Sequence, residues 1–302
     1  MAQWRHSNAA GRLSEALQIA ERLNSLARDQ ADPTLTIEAC RALAVTLYFL
    51  GDFETARQFA IRGIEIWRSG SVQSQSENLD APAATCLCYE ALCAWHFGEI
   101  AASQLHIMEA IASSKELNDM HGLASTLCYA GSIAYLERDR AEAERFASDV
   151  IELSTRHHFA HWSALGSVLR GWARSVSGNT TEGIAWIEDG IRDYRAIGAM
   201  VGLPFRLGMK AEALHLADRT LEALGAIREA DALVERFENR YWSAELHRLR
   251  GVFLTAMGAE ESKIEASFGE ATRIAKAQKS VSLEKRAEAT YAEYLRQKAS
   301  GS

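Results

Sequence analysis

Small residues in this chain recur on a ruler of forty positions. Ala91, Gly131, Gly171, Ala211 and Gly251 mark one series, and Ala84, Ala124, Ala164, Pro204 and Ala244 another. Ala110, Val150, Gly190 and Ala230 keep the spacing, as do Ala143, Gly183 and Ala223. The turn-like positions Gly98, Arg138, Gly178, Asp218 and Gly258 follow it too. Near the start, the run from Gly11 to Ala16 aligns with the run from Gly51 to Ala56. One such series could be chance, but five in register define a repeat architecture.

Each unit reads as two amphipathic helices. Between Arg41 and Trp67, Leu43, Ala44, Leu47 and Leu50 recur at helical spacing, and Gly51-Asp52 supplies a stop and an N-cap. Phe53, Ala56, Ala60 and Ile64 then stripe the second helix. Further on, Gly178-Asn179 marks the same turn, and Asn179 to Glu182 looks like a capping box. The 302 residues include only three prolines. Pro33, Pro82 and Pro204 all fall where a helix can begin, which suits an all-helical chain. A hairpin that cannot cover both its faces stacks on its neighbours. The expected fold is therefore an all-α solenoid of about seven hairpins, with helices of roughly eighteen residues, on the order of 27 Å long.

The period breaks in two places. The step from Ala44 to Ala91 is longer than forty, and the excess falls in 69–80, which reads as a surface loop. The last unit slips by about one residue between Gly258 and Ala271. Residues 1–10 are expected to be a flexible terminus, so that the chain enters the solenoid half-way through a unit. That suggests a piece, or a descendant, of a longer polypeptide. No composition break divides 1–302, which reads as a single domain.

The arrangement of small residue, turn glycine and paired alanines is similar to the tetratricopeptide repeat. Ala44, Gly51 and Ala56 match three of its anchors, and Ala91, Gly98 and Ala110 match another set. Nearly the whole chain resembles the C-terminal helical-repeat region of bacterial regulators that carry a cyclase-like or transcription-factor domain and a STAND-type ATPase. Residues 42–56, 169–173, 241–251 and 265–275 carry that likeness. It implies a regulatory or partner-binding module, joined in such proteins to effector domains, and it brings no catalytic residues.

Chemistry-bearing motifs are scarce. There is no Gly-x-x-x-x-Gly-Lys-Ser/Thr loop, no His-Glu-x-x-His and no Gly-x-Ser-x-Gly elbow. Cys86 and Cys93 share a helix face while Cys88 is turned about 200° away, so these thiols do not converge on a metal. With Cys40 and Cys128 they read as buried free thiols of a reducing, cytoplasmic compartment. His157, His158 and His161 read as a polar turn without the further ligands zinc needs. No metal and no cofactor is expected. The net charge of −7 disfavours nucleic acid as a partner. The longest uncharged stretch, 120–136, is too short and polar for a membrane span and reads as a buried helix.

In stacked hairpins the first helix of each unit lines the concave groove. Counting from the small residue, positions three before, one after and four after share the inner face. That selects Arg41, Tyr48, Trp95, Tyr135, Trp172, Glu212, His215 and Arg248, and the position six before adds Phe205 and Glu245. Such a groove, aromatic with a charged far end, suits a protein or peptide partner. The alternative is a small-molecule sensor with a closed pocket near Trp95, Tyr135 and Trp172.

Overall fold

A computed structural model describes residues 1–70 and 80–300; the expected loop at 69–80 lies almost wholly outside that range. Among the described residues there are fifteen helices and no strand. They are α1 (Ala2–Ala9), α2 (Leu13–Gln30), α3 (Pro33–Leu50), α4 (Phe53–Arg68), α5 (Asp80–His96), α6 (Ile100–Glu116), α7 (Met120–Leu136) and α8 (Arg140–His157). They continue with α9 (Ala160–Val176), α10 (Thr180–Ala196), α11 (Leu203–Leu216), α12 (Thr220–Phe237), α13 (Ser243–Ala256), α14 (Glu261–Ala277) and α15 (Val281–Ser300). The pairing α3–α4, α5–α6 and so on to α13–α14 gives the expected solenoid of hairpins.

Helix ends follow local chemistry. Asp32, Asp52, Asp119 and Asp139 each accept a backbone N–H in the first turn of α3, α4, α7 and α8. Asn179 makes no such bond with its side chain, so the capping box expected there does not form. Every member of the series Gly98, Arg138, Gly178, Asp218 and Gly258 has positive φ. The same left-handed turn thus recurs whether or not the residue is glycine.

The small residues mark close approaches. A Cβ on Gly171 of α9 would stand 2.5 Å from the carbonyl oxygen of Gly183 on α10. One on Gly251 would stand 2.5 Å from the Phe268 ring. Ala110, Val150 and Ala230, late in the second helices, are fully buried.

The first helices α3, α5, α7, α9, α11 and α13 also pack on one another in order and form the inner layer. The superhelix closes after one turn. Met200 N–H donates to Ala9 O at 2.7 Å, and Tyr241 N–H donates to Phe49 O at 3.3 Å. His96 Nδ1 meets Ser280 Oγ, 184 positions away, at 2.7 Å. The first ten residues are not a loose terminus: Trp4 of α1 is buried and its Nε1–H donates to Thr46 Oγ1 at 3.0 Å. Pro33–Leu50 is the one helix among the described residues long and apolar enough to cross a membrane, but most of it is buried between α2, α4 and α5.

Candidate functional site

The aromatic residues expected to line an open groove instead fill it. Tyr48, Trp95, Tyr135, Trp172 and Phe205 are all buried. Tyr48 sits among Phe49, Phe53, Tyr89 and Tyr241, with ring centroids 5.2 to 5.7 Å away. Tyr135 packs on Trp172 at 4.7 Å and on Phe205 at 5.0 Å. The cause is closure: a single open hairpin array exposes this face, but a full superhelical turn brings α11, α13 and α15 onto it.

Glu212 and Arg248 of that set join a charged network around the buried Glu245, half-buried at Glu212 and exposed at Arg138, while Arg41 lies apart from it. Glu212 accepts from Trp172 Nε1 at 2.9 Å and pairs with Arg138 at 2.7 Å. Arg248 lies 3.8 Å from Glu212 and pairs with the fully buried Glu245 at 2.7 Å. Arg138 and Arg286 approach Glu245 at 3.2 and 3.4 Å. Burial pushes the Glu245 carboxyl up, but Arg248, Arg286 and Arg138 outweigh it and hold it well below the usual carboxylate range. These groups tie α7, α11, α13 and α15 together. His215 is elsewhere, half-buried against Phe253 and Thr220.

A cavity of about 800 Å³ remains at one end of the axis. It lies mainly against the N-terminal halves of the first helices α5, α7, α9 and α11, with α1, α3 and Tyr194 of α10 completing the wall. Of the nine expected site residues, Arg41 is the one that lines it. Its aromatic wall is Trp4, Phe49, Tyr89, Tyr129, Trp162 and Tyr194. Tyr89 and Tyr129 bring their hydroxyls to 3.0 Å, and Trp162 Nε1–H donates to His121 Nε2 at 3.1 Å. His161 packs edge-on to Trp162, and burial, then the neighbouring Arg206 and His121, lower its pKa to about 4. Asn8 contributes a buried Oδ1 without a hydrogen-bond partner among the described residues. The Arg41 guanidinium is held by Glu38 at 2.7 Å and lies over the Trp4 ring.

The sequence carried a signal for this wall. Tyr89 and Tyr129 are forty apart, and so are His121 and His161. They stand two and ten positions before their small residues, at positions the inner-face count above does not include. The cavity survives there because closure fills the axis at the other end of the first helices.

The cysteines Cys40, Cys86, Cys88, Cys93 and Cys128 are buried and free. Burial pushes the Cys40 thiol up to about 11 and the Cys128 thiol to about 12. His157 and His158 are exposed, apart from the half-buried His161.

No family model matches the chain. An uncharacterised protein of Rhizobium meliloti (strain 1021) is 27% identical over 197 residues, which is 65% of this chain. The chain spans only 19% of that relative's length. Among solved structures, a Rap protein complexed with Competence and Sporulation Factor matches with a TM-score of 0.70 at 13% identity, over 91% of this chain and 74% of that one. The Rap conjugation gene regulator of plasmid pLS20, in complex with the Phr* peptide, matches with a TM-score of 0.62 at 11% identity, over 89% and 77%. PlcR of Bacillus thuringiensis, in complex with the peptide PapR7 and DNA, matches with a TM-score of 0.56 at 12% identity, over 94% and 99%. The chain thus has a tetratricopeptide-like helical-repeat fold that resembles those of the Rap and PlcR regulators.

Proposed function

We propose that this chain is a non-enzymatic regulatory module that binds a short peptide in the axial cavity. The observation that carries the reading is the cavity itself: about 800 Å³, walled by aromatic rings and crossed by a few polar groups. The unpartnered Asn8 Oδ1 suits a peptide N–H. The peptide complexes of the pLS20 Rap regulator and of PlcR support the same reading. A small organic ligand is the second reading, favoured by the filled axis, which leaves room for a few residues of chain and not for a long extended one. The net charge of −7 supports a ligand other than nucleic acid. Five free, buried thiols support a reducing, cytoplasmic location.

Ser125 lines the cavity and is half-buried, so Ser125→Trp would fill it. Native mass spectrometry after incubation with the low-mass fraction of a cell extract tests the proposal. A bound peptide on the wild type and none on the folded variant is expected. Equal loading of the two would contradict it.

A further inference from the structure

The charges around the cavity are uneven, and that asymmetry names a ligand class. This inference rests on the cavity being the binding site. Two carboxylates line it, and both are engaged. Glu38 accepts from Arg41, and Asp119 Oδ1 accepts from Gly122 N–H at 2.9 Å as the cap of α7. Three arginines line it, and two of them, Arg5 and Arg206, have no ion pair among the described residues. The two histidines do not restore the balance. His121 accepts from Trp162, and His161 is held neutral near pH 7.

Arg206 is the informative one. It is half-buried on the first turns of α11, and its guanidinium lies 4.8 Å from the Tyr194 ring centroid. Nη1 donates to Gly202 O within its own helix start. A guanidinium has five N–H donors, and this is the one hydrogen bond it makes among the described residues. A partly desolvated arginine, steadied by an aromatic face and short of acceptors, is a ready-made partner for an anion. Arg5, exposed at the rim on α1, adds a second positive charge.

We infer that the axial cavity recognises an anionic group joined to a flat apolar body, the anion on Arg206 and the apolar part against Tyr89, Tyr129 and Trp162. The shared chemistry is a carboxylate or sulfonate beside an aromatic or aliphatic surface. A peptide with a free C-terminus and a small organic acid both offer it.

Two dyes with nearly the same aromatic frame make the test direct. 1-Anilinonaphthalene-8-sulfonate is anionic, and N-phenyl-1-naphthylamine is neutral. Both should bind the wild type, and Ser125→Trp should abolish both. Arg206→Gln should weaken the sulfonate by about tenfold or more and the neutral dye by less than about twofold. Raising the salt should weaken the sulfonate selectively. Arg192→Gln, at an exposed residue of α10, is the matched control and should leave both unchanged. Circular dichroism checks that each variant is folded. If Arg206→Gln does not fold, Arg5→Gln and the salt series on the wild type carry the comparison.

Equal effects of Arg206→Gln on the two dyes would overturn the anionic assignment while leaving the cavity a binding site. Unchanged binding of both dyes to Ser125→Trp would overturn the cavity reading and this inference together. Displacement of the bound sulfonate separates the sources. Displacement by a four-residue aromatic peptide acid supports a peptide terminus, and displacement by naphthoate alone supports an organic acid. A C-terminal peptide amide that displaces as well as its acid contradicts the proposal.

Discussion

Asp218 holds a backbone shape that glycine holds at lower cost. Its φ is 60°, as at the glycines that occupy the equivalent turns, and its side chain is exposed. The left-handed region crowds Cβ against the following carbonyl. Asp218→Gly should therefore stabilise the protein by about 0.5–1 kcal/mol, seen as a higher urea midpoint. His96 offers a second test at this scale. It is fully buried between the Tyr48 hydroxyl and Ser280 Oγ, and burial, with Arg286 nearby, drives its pKa down to about 3. An unfolded histidine titrates near 6.5. Between these values the unfolded chain holds the proton that the folded chain refuses, so this contribution to stability is lost as pH falls from about 6.5 towards 3. His96→Gln removes it. The wild type should lose about 2 kcal/mol more than the variant between pH 7 and pH 4.5, measured by urea unfolding. Parallel losses would contradict the assignment.

Helix pairs obey two different rules for glycine. Gly171 faces backbone: an added Cβ meets the Gly183 carbonyl and the Ile187 amide, neither of which can swing aside. Gly171→Ala should cost about 1–3 kcal/mol despite alanine's better helix propensity. Gly269, on α14, faces open space, and Gly269→Ala should stabilise by about 0.5–1 kcal/mol. Thermal melts of the two variants should move in opposite directions. At this scale much was legible beforehand. The forty-residue ruler located the hairpins, the turns and the close approaches, because each is a local demand for a small residue or a left-handed turn. Pro33 and Pro204 sit in the first turns of α3 and α11, as their chemistry requires. The turns after the second helices were also on the ruler, at Asn118, His158, Gly198 and Glu238, all with positive φ. Their varied side chains hid the series. Helix α1 was missed because eight residues with Arg5 and His6 show little amphipathic pattern. Its order comes from tertiary contacts, Trp4 on Thr46 and under Arg41, and Ala9 O accepting from Met200 N–H.

For the whole molecule, the decisive property is closure, and closure was not in the repeat pattern. A ruler of small residues states that units stack but not how far each is rotated on the last. Once α15 returns to α5, Arg286 donates to Leu136 O and Lys279 pairs with Glu54. The inner aromatic face then becomes core. Tyr48, Tyr135 and Trp172 are packed into that core and line no open groove. The site that remains, between Arg41, Tyr89, Tyr129, Trp162 and Arg206, lies towards the N-terminal ends of the first helices, away from that plug. Occupancy of that site is what gives the fold its function in this reading. A crystal structure of the chain with the ligand recovered from the extract tests it most directly. Density is expected inside the cavity, against Trp162 and Tyr129, with its anionic end on Arg206. Density on the outer face of the second helices, with the cavity unchanged, would contradict it.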